Sequence, residues 1–180
     1  APTKIYTLSL HDALPISRDL VNVCAKQSGH TIDIERLAAE VNFSSFLDRD
    51  VNHKFSGGEI KRSELLQLKA QDPDLVLLDE PESGVDLENM ALIGETINSL
   101  LHRGVTYMKG KSHRATIAER SKSALIITHT GHILDYITAD KGQVLYNGVL
   151  CCTRHAREIL KWIGEYGYEE WVRCQMEMLT

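Results

Sequence analysis

The chain lacks any apolar run near the roughly 20 residues that crossing a bilayer requires. Its longest runs, such as Ala124 to Thr128, are far shorter, so direct membrane insertion is not expected. It also lacks an excess of positive charge: the net charge is -5 and the pI about 5.9. Nucleic acid is thereby excluded as the default partner, because sequence-independent phosphate binding needs a basic surface. Cysteine is scarce, and Cys24, Cys151, Cys152 and Cys174 form no C-x-x-C pattern and follow no secretory signal. A reduced, cytoplasmic setting is the expectation, with Cys151-Cys152 read as small hydrophobes ending a strand. Finally, there is no phosphate-binding loop of the form G-x-x-x-x-G-K-[ST]. Gly104 and Gly110-Lys111-Ser112 come near it, but five residues separate the glycines instead of four, and a predicted helix rather than a strand precedes them.

What is present suffices for one domain with a real core: 180 residues, 43% hydrophobic and 25% charged. The start of the chain reads differently from the rest. Leu8-Ser-Leu-His-Asp-Ala-Leu-Pro-Ile16 matches a translated frame of a common sequencing-library adapter, and Ile5-Tyr-Thr7 fits the same adapter upstream. Residues 1–17 are therefore expected to be adapter-derived, with native sequence from near Ser17 and an N-terminal half that was never assembled.

Arg18 to Gln27 reads as a short helix, and Ile34, Leu37, Ala38 and Val41 form the stripe of an amphipathic one. Ser56 and Glu59 have the S-x-x-E spacing of a capping box, which starts a helix running to about Ala70 and stopped by Asp72-Pro73. A helical subdomain over 18–72 follows. Val76-Leu-Leu78 reads as a parallel strand buried on both faces. A helix carrying Met90, Ile93, Ile97 and Leu100 comes next, then a strand from Ala124 to Thr128 and a helix around Ile133 to Ile137. This alternation predicts a right-handed, mostly parallel α/β layer over 73–150. Asn147-Gly148, between apolar segments, is a hairpin signal and turns the sheet edge antiparallel. His155 to Tyr166 reads as a closing helix within a C-terminal tail, 151–180.

The chemistry-bearing residues fall at the edges of these elements. Ser56-Gly57-Gly58 begins a helix, where free N–H groups and the helix dipole favour an anion and the glycines admit a phosphate. Asp79 and Glu80 end a buried strand, the edge at which open α/β sheets bind ligands, and adjacent strand residues point to opposite faces. Asp79 suits Mg²⁺, which takes one or two carboxylates and keeps waters; Glu80 suits activation of an attacking water. His129 follows the second strand and is expected on the same edge, within reach of a γ-phosphate.

In this order, Phe55 to Glu59, Asp74 to Glu80, Ser83 to Asp86 and His129 resemble the signature, Walker B, D-loop and switch histidine of the ATP-binding cassette family. The resemblance implies a P-loop NTPase fold, an α/β class lacking its N-terminal half here. It implies ATP and Mg²⁺ as cofactors, with Ser56, Gly57, Gly58, Glu59 and Asp86 as nucleotide-binding residues, and a head-to-tail homodimer in which Ser56, Gly57 and Gly58 serve nucleotide held mainly by the partner. Within that family the details are most similar to the SufC group of the Suf iron–sulfur cluster assembly system. They include Glu82-Ser-Gly-Val-Asp86, Val144-Leu-Tyr-Asn-Gly148 and Glu165-Tyr-Gly-Tyr-Glu-Glu-Trp171. Glu59 stands where many transporter ATPases carry glutamine. SufB/SufD-like scaffold proteins are the implied partners; a membrane transporter's ATP-binding subunit and a non-catalytic half-site module are the alternatives. One departure is a basic insertion over 102–123 carrying Arg103, Lys109, Lys111, Arg114, Arg120 and Lys122, read as a solvated loop.

Overall fold

A computed structural model describes residues 15–29, 31–101, 121–170 and 173. The near-loop at Gly104 to Ser112 and most of the basic insertion lie outside the described residues. The elements are α1 (Ser17–Ser28), α2 (Ile34–Glu40), α3 (Gly57–Gln71), β1 (Leu75–Asp79), α4 (Leu87–Leu100), β2 (Ser123–Ile127), β3 (Gly142–Tyr146), β4 (Val149–Arg154) and α5 (Ala156–Tyr166).

Helix α3 is the wall between two cores. Leu66 and Ala70 pack into the first, with Val21 and Cys24 of α1, Leu37 and Ala38 of α2, and Phe43. Leu65 turns to the second, with Met90, Ile93 and Ile97 of α4 and with Ile133 and Ile137. Both ends of α3 are chemically marked. Ser56 Oγ accepts from Glu59 N–H and Glu59 accepts from Ser56 N–H, the reciprocal capping box; Asp72 ends the helix with φ 48°. At the chain's start, Ile16 bridges Asp50, and Ser17, buried, donates its N–H to Arg49 O at 2.9 Å.

Strands β1 and β2 pair in parallel with Leu75 opposite Ser123 and Asp79 opposite Ile127. The expectation of burial on both faces fails. Val76, Leu78, Ala124 and Ile126 face the α4 core, while Leu75 (60% exposed), Leu77 (69%), Leu125 (58%) and Ile127 (55%) form an open apolar face. An all-apolar strand reports a cover on each side, and among the described residues only α4 supplies one. The Asn147-Gly148 turn forms with φ of 46° and 78°, as a two-residue hairpin of this kind requires. The hairpin does not extend the parallel sheet: β3 and β4 make a separate two-stranded sheet among the described residues, packed on Ile159 of α5.

Two further corrections concern the second half. The helix read around Ile133 is a short 3₁₀ turn, His132–Asp135, though Ile133 and Ile137 are buried as the stripe implied. Lys122 is not part of a solvated basic face. It is 7% exposed, and its ammonium pairs with the Asp72 carboxylate and donates to Asp72 O at 3.2 Å, tying the entry of β2 to the end of α3.

Gly94 fixes how closely the segment after β2 approaches α4. A Cβ there would lie 2.3 Å from Tyr136 Cβ and 3.2 Å from Tyr136 O, so no side chain fits without displacing that backbone. Gly164 in α5 is the contrasting case, with nothing within 4 Å of its Cβ position. Urea denaturation is expected to give Gly94→Ala a loss of about 1–3 kcal/mol from overpacking. Gly164→Ala is expected to gain about 0.5–1 kcal/mol from helix propensity and reduced unfolded-state entropy. Equal effects at the two positions would contradict this packing.

Candidate functional site

The parallel register places the ends of β1 and β2 side by side. Glu80 N–H donates to Ile127 O at 2.9 Å, one step past the last strand pair. The chain then leaves the sheet sharply: Glu80 has φ 47°, a left-handed conformation that costs a residue with a Cβ about 1–2 kcal/mol. Such strain is concentrated at functional sites. Asp79 keeps to the strand and is exposed on the same alternation as Leu75 and Leu77.

Glu80 meets His129. Its Oε2 lies 2.7 Å from His129 Nδ1, a contact at ion-pair distance without hydrogen-bond alignment, so that Oε2 is buried with no hydrogen-bond partner among the described residues. The histidine side chain is 72% exposed and the glutamate 26%. The pair is thus open to a ligand from the histidine side. His129 O also accepts from Tyr168 OH at 3.3 Å, a contact from the C-terminal tail that sequence reading did not assign.

The signature segment lies against the turn that follows Glu80. A Cβ on Gly57 would sit 2.9 Å from Gly84 O, so only glycine permits this approach. Gly58 packs on Asn89, whose Nδ2 is 3.3 Å from its Cβ position. The amides of Gly57 and Gly58 belong to the first turn of α3, where no carbonyl of the helix can reach them. Donors so placed at a helix start are free to face an anion. Ser56 and Glu59 are occupied by each other in the cap.

Asp86 serves α4 directly. Its carboxylate accepts from Asn89 N–H and from Asn89 Nδ2, both at 2.8 Å. These bonds, first the backbone one and then the side-chain one, hold its pKa below the ordinary aspartate value. Among the described residues no group of His, Cys, Asp or Glu is clustered to hold a metal by itself. A cation at this edge would depend on Asp79, whose exposed carboxylate suits an ion that takes one carboxylate and completes its shell with water and phosphate.

Because Asp86 has a lowered folded pKa, its contribution to stability is present above the unfolded value of about 4 and lost as pH falls through the folded one. Asp86→Ala is expected to destabilise the chain measurably at pH 7 and progressively less below about pH 4. Asp86→Asn, which also caps, stays near wild type at neutral pH. Denaturation curves at both pH values check this; a deficit in Asp86→Ala independent of pH would contradict it.

Comparison with known proteins agrees with this geometry. A family model described as ABC transporter matches residues 6–83, a stretch that begins inside the adapter-like segment. The chain is 35% identical over 134 residues to a protein of Cyanophora paradoxa named "Probable ATP-dependent transporter ycf16", covering 74% of this chain and 44% of that protein. It is 33% identical over 134 residues to "Probable ATP-dependent transporter SufC" of Escherichia coli (strain K12), covering 74% and 47%. The chain thus spans less than half the length of these relatives. Among solved structures, an ATP-binding subunit of an ABC transporter superposes with a TM-score of 0.59 at 19% identity, covering 89% of this chain and 60% of that one. The fold is accordingly that of a partial P-loop NTPase domain, and the chain belongs to the ATP-binding cassette ATPases.

Proposed function

We propose that this chain carries the signature, Walker B, D-loop and switch elements of a SufC-like ATPase. In its whole form that ATPase hydrolyses ATP with Mg²⁺ in the cytoplasm, pairs head to tail, and drives rearrangement of a SufB/SufD-like scaffold for iron–sulfur cluster assembly. The observation that carries the reading is the Glu80–His129 contact of 2.7 Å at the carboxyl edge of a parallel sheet, beside the Gly57–Gly84 approach. Two groups suited to a water and to a γ-phosphate meet where such folds bind ligands.

Without nucleotide the two side chains lie against each other, and Glu80 Oε2 is left free of hydrogen-bond donors among the described residues. With ATP in place His129 turns to donate to the γ-phosphate, and Glu80, released, orients the attacking water and accepts its proton. Asp79 would hold Mg²⁺, which would supply charge neutralisation at the phosphates. Ser56, Gly57 and Gly58 offer the start of α3 to the nucleotide of a second copy, with Glu59 keeping that start capped and Asp86 keeping the facing turn folded. Glu59 in place of glutamine favours a SufC-like client. A transporter's ATP-binding subunit is the second reading, supported by the names of the matched relatives.

In the protein extended to include a phosphate loop, Glu80→Gln is expected to lower ATP turnover by about 10²–10⁴-fold while ATP-dependent pairing persists on size-exclusion chromatography with light scattering. Unchanged turnover would sink the role of Glu80. The 180-residue chain alone is expected to release no phosphate from Mg-ATP above background, since its signature elements need a phosphate loop to act on. Co-purification with a SufB/SufD-like complex rather than a permease separates the two clients.

A further inference from the structure

Glu82 is absent from the roles assigned above, yet it is the most deeply placed acid near the site. It is 5% exposed. Its Oε1 accepts from the Thr128 hydroxyl and, at 3.1 Å, from the Thr130 hydroxyl. Thr128 Oγ1 also accepts from Gly131 N–H at 2.8 Å and Thr130 Oγ1 from His132 N–H at 3.4 Å, each through a lone pair, while each hydroxyl proton is directed to Glu82 Oε1. The other carboxylate oxygen, Oε2, is buried without a partner among the described residues.

A buried acid with one oxygen unpaired is a poor stabiliser, and an apolar or neutral side chain of similar volume would serve packing at least as well. Its arrangement suits another purpose. Thr128 and Thr130 flank His129 on either side, and one carboxylate oxygen holds both. Pro81, buried, separates Glu82 from Glu80 with a backbone of fixed φ. The segments 80–82 and 127–130 are therefore joined at successive points: the Glu80 N–H to Ile127 O bond, the Glu80–His129 contact and the Glu82 bonds to the two threonines. On its other side Glu82 opens the turn whose Gly84 O faces Gly57, with Val85 N–H donating to Glu82 O at 3.3 Å.

We infer that Glu82 is a positioning residue: by clamping Thr128 and Thr130 it holds His129 in register with Glu80 and ties that pair to the turn lying against the signature glycines. The inference rests on the ATPase reading for its effect on turnover, but the clamp itself is a property of this chain. It requires an acceptor at Oε1, not a negative charge, which separates it from a chemical role.

Two measurements decide it. In the present chain, ¹⁵N signals of the His129 ring, assigned by their loss in His129→Gln, are expected to coincide in wild type and in Glu82→Gln. In Glu82→Ala they are expected to move, since the ring loses its fixed place beside Glu80. In the protein extended to include a phosphate loop, Glu82→Ala is expected to lower kcat by about 10–100-fold, the scale of a misplaced catalytic group. KM for ATP stays within about threefold, and Glu82→Gln restores kcat to within about threefold of wild type. Should Glu82→Ala fail to fold, Thr130→Val against Thr130→Ser asks the same question, since only serine keeps the hydroxyl. Unaltered ring signals in Glu82→Ala, or a Glu82→Gln as impaired as the alanine variant, would overturn the clamp. A wild-type protein without ATPase activity would count against the functional reading instead, leaving the ring signals to judge the clamp.

Discussion

The parallel register of β1 and β2, with Asp79 opposite Ile127, is the constraint on which the candidate site depends. A slip by one residue would reverse the face of every side chain that follows, carrying Glu80 away from His129 and Glu82 away from the two threonines. The register is held from within by Val76, Leu78, Ala124 and Ile126 against the α4 core. At its entry it is held by Lys122, whose ammonium closes on Asp72 at the end of α3. That ion pair couples the start of β2 to the helix whose other end carries the signature glycines.

Helix α3 gives the register its reach. Because Leu66 and Ala70 belong to one core and Leu65 to another, the helix cannot rotate without disrupting both. Its capped start stays beside the turn at Gly84. Gly94 has the corresponding part on the far side, letting the backbone of Tyr136 lie directly on α4 and so fixing the chain that leaves His129. The strained Glu80 backbone is tolerated with its N–H kept in the ladder and its side chain lying against His129.

Much of this was legible in the amino-acid sequence because it is local. The capping box, the Asn147-Gly148 turn, the α2 stripe and the order of the strands each depend on residues within a few positions of one another. What was not legible depends on distance in the chain. Lys122 looked like one charge of a basic loop because its partner is 50 residues away. Glu82 was visible as part of a motif, but nothing in Glu-Ser-Gly-Val-Asp indicates that its carboxylate turns inward to hydroxyls beyond β2; the only sequence clue was the threonine on each side of His129. The apolar content of β1 and β2 implied two covered faces, whereas α4 covers one. Composition records the burial a strand is built for, not which segment supplies the cover.

Under the proposed function the site is a shared one, in which α3 of one copy would face nucleotide held by another while Glu80 and His129 would act in their own. The most direct measurement is a structure of the Glu80→Gln protein, extended to include a phosphate loop and trapped with Mg-ATP. The account predicts that the Gly57 and Gly58 amides of one copy lie within hydrogen-bond distance of a γ-phosphate whose other contacts, including His129, come from the second copy. Gly57 and His129 of a single copy on the same phosphate, or a nucleotide that touches neither, would contradict it.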